Sequence, residues 1–214
     1  MKGIVLGSTK GIGKAIADQL DSINIDVVRA SSATLDTSST KSIDNFFKNH
    51  KKTDILVLNT GGPPAKDFFS ITESEWLHYY YQLFYGFIHL LQNVDIKNNG
   101  YIFLISSHTI KNPEENLILS NSFRVAFWSV LKTLSKTYAS RNISIINIAP
   151  GPIKTKRLEN LVSNIKDFEK SLPMKRAGSP EEIALFVKSI VQNNIKYLSG
   201  VTINFDGGLS NSLF

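Results

Sequence analysis

The chain has 214 residues, 42% of them hydrophobic and 20% charged, which predicts a single α/β domain with a complete hydrophobic core. The absence of cysteine excludes disulfides, thiolate zinc sites and thiol nucleophiles, and the four histidines show no metal-ligand spacing. The net charge of +6 is spread along the chain, so we expect no nucleic-acid partner, and a phosphorylated cofactor accounts for the charge equally well.

The first predicted strand, residues 3–6, runs directly into a glycine-rich loop and then a helix over 14–20. The loop reads Gly7-Ser8-Thr9-Lys10-Gly11-Ile12-Gly13. Glycine permits left-handed backbone conformations and a close approach of phosphate to the main chain. The unpaired N–H groups at a helix start attract an anion. This order favours binding of a nucleotide diphosphate over a strand-to-helix turn without a ligand.

Predicted strands and helices alternate along the rest of the chain. The strands cover residues 25–30, 54–58, 101–106, 143–148 and 201–205. The helices cover residues 41–50, 73–93, 117–140 and 180–192. Because the strands are continuous apolar runs, they are typical of parallel strands buried on both faces. The pattern predicts a doubly wound parallel sheet with helices on both faces, in one domain over residues 1–214.

The most apolar stretch, residues 79–91, contains a glutamine and a histidine and is too short to span a bilayer. Met1 and Lys2 lead directly into the first strand, without the pattern of a signal peptide. The sequence therefore predicts a cytoplasmic protein with no membrane segment.

One connection, residues 30–40, is shorter than the others. A parallel crossover through a helix needs about a dozen residues in addition to the next strand. This segment cannot hold both, so we expect a sheet of six to seven strands in which the third strand, at one edge, is reduced or lost.

Four further motifs follow predicted strands, at the positions where open α/β sheets bind ligands. Each motif alone is compatible with turn chemistry, whereas their joint order and spacing are specific. The motifs are Asn59-Thr60-Gly61-Gly62-Pro63-Pro64, Ser106-Ser107, Pro150-Gly151-Pro152-Ile153-Lys154-Thr155 and Phe205-Asp206-Gly207-Gly208.

With the glycine loop, these motifs make the chain resemble the short-chain dehydrogenase/reductase family over essentially its whole length. The family's Gly-x-x-x-Gly-x-Gly matches residues 7–13, its Asn-Asn-Ala-Gly is similar to residues 59–62, and its Pro-Gly-x-Ile-x-Thr matches residues 150–155. The resemblance implies a Rossmann-type sheet that binds NAD or NADP, a small carbonyl or alcohol substrate, and a homotetramer or homodimer. We expect residues 156–174 to form the substrate lid.

The resemblance also implies where the cofactor lies: the pyrophosphate over residues 7–13, the adenine near Asp36, and the nicotinamide near residues 59–61 and 150–155. The expected cofactor-binding residues are Gly7, Ser8, Thr9, Lys10, Gly11, Ile12, Gly13, Ser31, Ser32, Asp36, Asn59, Thr60, Gly61, Arg124, Pro150, Gly151, Ile153 and Thr155.

The choice between NAD and NADP depends on the residues after the second strand. An acid there would bind the ribose hydroxyls and repel a 2′-phosphate. Residues 29–32 contain no acid, and Lys10 lies in the glycine loop, which favours NADP(H). If Lys10 is only solvated and Asp36 reaches the ribose, NAD would serve instead.

The chain departs from the family at the catalytic positions. The family uses a serine, a tyrosine about thirteen residues later, and a lysine four residues beyond the tyrosine. Counting from Ser107 reaches Ser120 and then Arg124, on one helical face; a further family asparagine aligns with Leu83. The expected catalytic residues are therefore Ser107, Ser120 and Arg124. The two serines would position an oxygen, and Arg124 would hold the ribose and stabilise negative charge.

The source of a proton is open, because an aliphatic hydroxyl is a poor acid and arginine stays protonated. His108 is one candidate, although a partly exposed loop histidine also explains it. Water is a second candidate. A tyrosine of the predicted helix over residues 73–93, called the aromatic helix below, is a third, although aromatic side chains there are more typical of a subunit interface. These tyrosines are Tyr79, Tyr80, Tyr81 and Tyr85. The sequence supports an NADP(H)-dependent oxidoreductase, with an NADP(H)-binding sensor or non-catalytic subunit as the alternative.

Overall fold

The computed structural model describes residues 1–213 and places one six-stranded parallel sheet at their centre, in the order β2-β1-β3-β4-β5-β6. The strands are β1 (Lys2–Leu6), β2 (Asp26–Ala30), β3 (Lys52–Leu58), β4 (Asp95–Ile105), β5 (Ser144–Pro150) and β6 (Val201–Phe205). The α-helices are α1 (Gly11–Asp21), α2 (Thr40–His50), α3 (Glu73–Tyr80), α4 (Gly86–Asn93), α5 (Ile118–Ala139), α6 (Lys156–Leu161), α7 (Ile165–Ser171) and α8 (Pro180–Gln192). Within residues 1–213, no helix combines the length and apolarity needed to cross a membrane.

Two hydrophobic layers cover the two faces of the sheet, because successive side chains of a strand point to opposite sides. Phe47 of α2, Leu90 of α4 and Phe127 of α5 are buried in one layer. Ile16 of α1 and Ile183 of α8 are buried in the other. The predicted doubly wound Rossmann-type α/β fold is therefore confirmed.

The predicted loss of a strand at one sheet edge is confirmed. No strand lies between β2 and α2, so β2 forms the edge. Instead, the chain makes turns from Ser31 onward, buries Leu35, and enters α2 at Ser39, whose side chain accepts a hydrogen bond from the backbone N–H of Ser42. The short segment thus connects β2 to α2 through turns and the Ser39 N-cap, without a further strand.

The predicted helix over residues 73–93 is not continuous. It consists of α3, a π-helical turn (Tyr81–Tyr85) and α4. The N–H of Gly86 donates to Tyr81 O across the wide turn. A π-helical turn adds one residue to the helical ring and rotates the residues after it, which periodicity alone did not predict. Leu83 is buried by this arrangement and Tyr81 stays 41% exposed.

Close packing joins α4 to the shortened segment. A Cβ on Gly86 would lie 1.8 Å from the carbonyl oxygen of Thr37 and 2.7 Å from that of Tyr81. Backbone atoms cannot move away as a flexible side chain can. Residue 86 must therefore be glycine for the two segments to meet.

We expect Gly86→Ala to lower the free energy of unfolding by about 1–3 kcal/mol, the usual cost of overpacking a tight contact. Urea denaturation followed by circular dichroism measures this change. Gly61→Ala is the matched control, because nothing lies within 4 Å of the added Cβ. Equal stability of the Gly86 variant and the wild type would contradict the packing described here.

Candidate active site

One large cleft, of about 980 Å³, opens at the carboxyl ends of the central strands. Loops after β1, β3, β4 and β5 line it, together with the first turns of α5 and α6. Open parallel sheets bind their ligands at this edge. The predicted site residues that line the cleft are Gly7, Thr9, Lys10, Gly11, Ile12, Ser32, Asp36, Asn59, Thr60, Gly61, Ser107, Ser120, Arg124, Pro150, Gly151, Ile153 and Thr155.

Three predicted cofactor-binding residues lie outside the cleft lining. The hydroxyl of Ser8 is buried and donates to the carbonyl oxygen of Ala30 over 3.1 Å. Ser31 makes a turn in which its N–H donates to Oγ1 of Thr34. Gly13 packs beneath the glycine loop, where a Cβ would lie 2.3 Å from the carbonyl oxygen of Gly7.

The glycine loop is shaped by close backbone contacts. Gly7 has φ +63°, and a Cβ there would lie 2.6 Å from Nδ2 of Asn59. That amide nitrogen donates to the carbonyl oxygen of Leu6 over 3.2 Å. Asn59 thus ties the loop after β3 to the end of β1. A side chain at residue 7 would therefore force the two loops apart.

The start of α1 has no anionic side chain of its own. Its N-cap, Lys10, makes no side-chain capping bond, and the first turn contains no acid. The first N–H groups of a helix have no partner within the helix and carry partial positive charge. Gly11 and Ile12 line the cleft at this point, so the residues fit a phosphate group from a ligand.

Arg124 and Ser120 lie one turn apart on α5, with Nε of Arg124 donating to Oγ of Ser120 over 3.1 Å. Nη1 donates to the carbonyl oxygen of Ile105 at 3.1 Å, and Nη2 to that of Thr60 at 3.4 Å. Only 8% of Arg124 is exposed. Burial, and then the nearby charge of Arg157, lower the pKa of Arg124 to about 10, so it remains charged at neutral pH.

Ser107 follows β4 and lines the cleft. Its Oγ accepts from the N–H of Thr109 at 3.2 Å and from Oγ1 of Thr109 at 3.0 Å. Both bonds use the acceptor capacity of the serine hydroxyl. The Ser107 proton therefore remains available to a ligand oxygen.

His108 is held between two acceptors at the wall of the cleft. Nδ1 lies 3.2 Å from the carbonyl oxygen of Pro150, and Nε2 lies 3.1 Å from Oε1 of Glu114. The two contacts fix the orientation of the imidazole ring. The hydrogen bond from His108 also holds the pKa of Glu114 below its ordinary value, against the opposing effect of burial. The side chain of His108 is 13% exposed.

The tyrosines of the aromatic helix do not line the cleft. Tyr80, Tyr81 and Tyr85 pack against one another with ring centroids 5.4 to 6.1 Å apart. Tyr80 also contacts Phe123 of α5. These rings form an aromatic face on α3, the π-helical turn and α5.

Sequence reasoning missed Gln82 and Arg157. Nε2 of Gln82 donates to Oγ1 of Thr60 at 3.2 Å and to the carbonyl oxygen of Gly61 at 3.3 Å. Counting along a regular helix led to Leu83, whereas the π-helical turn presents its neighbour to the cleft. Arg157, at the start of α6, donates from Nη2 to the carbonyl oxygen of Pro63. Its position after the residue 150–155 motif was the one available signal.

The predicted lid segment contains α6 and α7. Leu158, Val162 and Phe168 from this segment line the cleft, and Leu158 packs on the small buried cluster formed with Leu172 and Ala177. The segment therefore makes one apolar wall of the cleft.

A family model described as enoyl-(acyl carrier protein) reductase matches residues 25–210. The chain belongs to the short-chain dehydrogenase/reductase family. Its curated relatives include the 3-oxoacyl-[acyl-carrier-protein] reductase FabG of Aquifex aeolicus (strain VF5), which is 28% identical over 96% of this chain and 96% of the relative. The uncharacterized oxidoreductase YvaG of Bacillus subtilis (strain 168) is 23% identical over 99% and 96%. This short-chain family member is accordingly an oxidoreductase.

Solved structures share the fold of this chain. YwfH, described as an NADPH-dependent reductase involved in bacilysin biosynthesis, superposes with a TM-score of 0.86, 24% identity and 99% coverage of both chains. A small-chain dehydrogenase solved in complex with NADPH gives a TM-score of 0.85, 26% identity and 98% coverage of both chains.

We expect Glu114→Gln to change the pH dependence of stability of this short-chain oxidoreductase. Because the folded-state pKa of Glu114 lies below its ordinary value of 4.5, its contact with His108 stabilises the fold above that value. The contribution is lost as the pH falls through the lowered pKa. Urea denaturation should give a difference of under about 1 kcal/mol near pH 6, since Glu114 is half exposed. The difference should shrink as the pH falls below the ordinary value of 4.5 and through the lowered pKa, and a difference that grows on acidification would contradict this assignment.

Proposed function

We propose that this protein is an NADP(H)-dependent oxidoreductase that acts on a small carbonyl or alcohol substrate. The observation that carries the proposal is the arrangement of one cleft: the uncapped start of α1 lies along it with Ser107, Ser120 and Arg124. The predicted positions, distant in sequence, are thus brought together around a volume suited to a dinucleotide and a small substrate.

The glycine loop would hold the cofactor's pyrophosphate through backbone N–H groups. Residues 59–61 and 150–155 would hold the nicotinamide side. When bound, the nicotinamide supplies or accepts a hydride. The same cleft-lining residues would exclude water from the nicotinamide. Residues 156–174 would form the substrate lid.

The charged residues near the adenosine end of the proposed cofactor site favour NADP(H) over NAD(H). Lys10 and Ser32 line the cleft there, and residues 29–32 contain no acid. One carboxylate oxygen of Asp36 accepts hydrogen bonds from the N–H and hydroxyl of Ser38 at 2.9 and 2.7 Å. Asp36 is therefore partly engaged away from a ribose. The NADPH bound by the small-chain dehydrogenase relative is consistent with this choice.

Different residues of the cleft would orient the carbonyl group, stabilise its developing negative charge and donate the proton. The hydroxyls of Ser107 and Ser120 would donate to the carbonyl oxygen and orient it. Arg124 would stabilise the negative charge that develops there, in a buried and therefore weakly screened position. His108, which contacts the Glu114 carboxylate and the Pro150 carbonyl oxygen, would supply the proton that a tyrosine supplies elsewhere in the family.

The proposed oligomeric state and cellular location are those that the family resemblance implies. Leu77 of α3, Tyr81 of the π-helical turn and Val125 of α5 are 52%, 41% and 43% exposed. Apolar side chains on adjacent helices favour a subunit interface. We therefore propose a cytoplasmic homodimer or homotetramer with no nucleic-acid or membrane partner.

We expect Lys10→Glu to raise the Kd for NADPH about tenfold, equivalent to about 1.4 kcal/mol, with little effect on NADH. A carboxylate in place of the ammonium group would repel the 2′-phosphate. Fluorescence titration of each dinucleotide measures both constants. Lys41→Glu is the charge-matched control away from the cleft. Equal weakening of NADPH and NADH by the Lys10 substitution would contradict the 2′-phosphate assignment.

We expect His108→Asn to lower kcat for NADPH-dependent ketone reduction about 100-fold, because a positioned acid contributes at least that factor. NADPH affinity should be retained. The assay follows NADPH oxidation with a panel of small ketones, and His78→Asn, on exposed α3, controls for the change of side chain. Tight NADPH binding with no oxidation across the panel would instead identify a binding protein without turnover. Full activity of the His108 variant would assign the proton to another donor.

A further inference from the structure

The arginines of the cleft differ from the others in having no acidic partner. The chain contains five arginines. Arg29, Arg141 and Arg176 form ion pairs with carboxylates at the surface. Over residues 1–213, Arg124 and Arg157 form no ion pair, and both line the cleft. The two guanidinium charges nearest the proposed reaction centre are therefore uncompensated.

Both charges are withdrawn from water. Arg124 is buried and Arg157 is half-buried. Desolvation is the main cause of the lowered pKa of each guanidinium. Burying a charge without a partner is costly, and such charges in proteins are normally paired. This arrangement calls for an anion from outside the chain.

The two guanidinium groups converge beside Gly62. A Cβ on this glycine would lie 3.4 Å from Nη2 of Arg157 and 3.5 Å from Nη2 of Arg124. The point between the two groups is open because residue 62 has no side chain. The two positive charges repel each other, and an anion bound between them would attract both and offset this repulsion.

The donors of these groups are only partly used. Arg124 gives three of its five N–H groups to Ser120, Ile105 and Thr60. Arg157 donates to the carbonyl oxygen of Pro63. The remaining N–H groups can bind a planar carboxylate, for which the guanidinium fork is well shaped.

We infer that Arg157 and Arg124 bind a carboxylate of the substrate, which makes the substrate a small oxo acid. The inference rests on the proposed function. Because Nε of Arg124 contacts Ser120, which would orient the carbonyl oxygen, the carboxylate must lie within a few bonds of that carbonyl. In the reaction, hydride from NADPH forms a C–H bond at the carbonyl carbon and a proton goes to its oxygen. The products are the hydroxy acid and NADP⁺.

The position of the pair separates this anion from those of the cofactor. The pyrophosphate would lie on the uncapped start of α1, and the 2′-phosphate near Lys10. Arg124 contacts the ends of β4 and the loop after β3 instead. Arg157 is accordingly a specificity-determining residue for the substrate.

The first test compares 2-oxobutanoate and 3-oxobutanoate with their methyl esters in NADPH oxidation by the full-length protein. We expect kcat/KM for at least one acid to exceed that of its ester at least about tenfold, as for a charge-assisted bond. Arg157→Met should abolish this ratio, mainly through a higher KM for the acid, whereas Arg157→Lys should retain part of it. Arg141→Met is the matched control and should keep the wild-type ratio. Equal use of acid and ester by the wild type, or an unchanged ratio in Arg157→Met, would overturn the inference.

The second test uses binding and needs no turnover. Isothermal titration of butanoate into the NADP⁺ complex should give a Kd at least about tenfold lower for wild type and Arg141→Met than for Arg157→Met. Circular dichroism confirms that each variant is folded. Arg157-dependent butanoate binding without NADPH oxidation on any substrate would support the carboxylate site and reject the proposed reaction. Reduction of esters with no butanoate binding would support the reaction and overturn the site.

Discussion

The close backbone contact between the glycine loop and α1 determines where this cleft can lie. A Cβ on Gly13 would approach the carbonyl oxygen of Gly7 to 2.3 Å, and a Cβ on Gly7 would approach Nδ2 of Asn59 to 2.6 Å. With no side chains there, the start of α1 packs directly on β1 and the loop after β3. The N–H groups at that helix start then lie at the cleft, where the phosphate of the proposed cofactor would compensate their partial charge.

At the other end of the cleft, the fixed positive charge of Arg124 results from the replacement of the family's catalytic tyrosine and lysine. Ser120 and Arg124 occupy the positions at which the family carries tyrosine and lysine. An arginine remains charged even when burial lowers its pKa, so it serves as a fixed cation and cannot act as an acid. In the proposed reaction the proton would then come from another group, and we propose His108, which lies between Glu114 and Pro150. Arg157 adds a second guanidinium group to the cleft lining, and the proposed preference for a carboxylate substrate rests on this pair.

The shortened sheet edge is linked to the active site through one helix. Without a third strand, the turns at residues 31–39 pack on α4, where Gly86 permits the approach of Thr37 O. The π-helical turn just before Gly86 directs Gln82 toward Thr60 and Gly61. A change in sheet size is thus accommodated by the same helix that supplies a side chain to the cleft.

The sequence by itself determined the parallel sheet, the lost strand, the family, and the loops that meet at the cleft. These features depend on local chemistry: continuous apolar strands, glycines at tight turns, and a connection too short for a crossover. It also placed Ser120 and Arg124 on one helical face, because a spacing of four residues is one helical turn. Only the tertiary structure decided that His108 lies between two acceptors, that Gln82 replaces Leu83 at the cleft, and that Arg157 meets Arg124 beside Gly62. Most of these contacts join residues far apart in the chain, such as His108 and Pro150. They depend on a π-helical turn and on side-chain packing that no local spacing encodes.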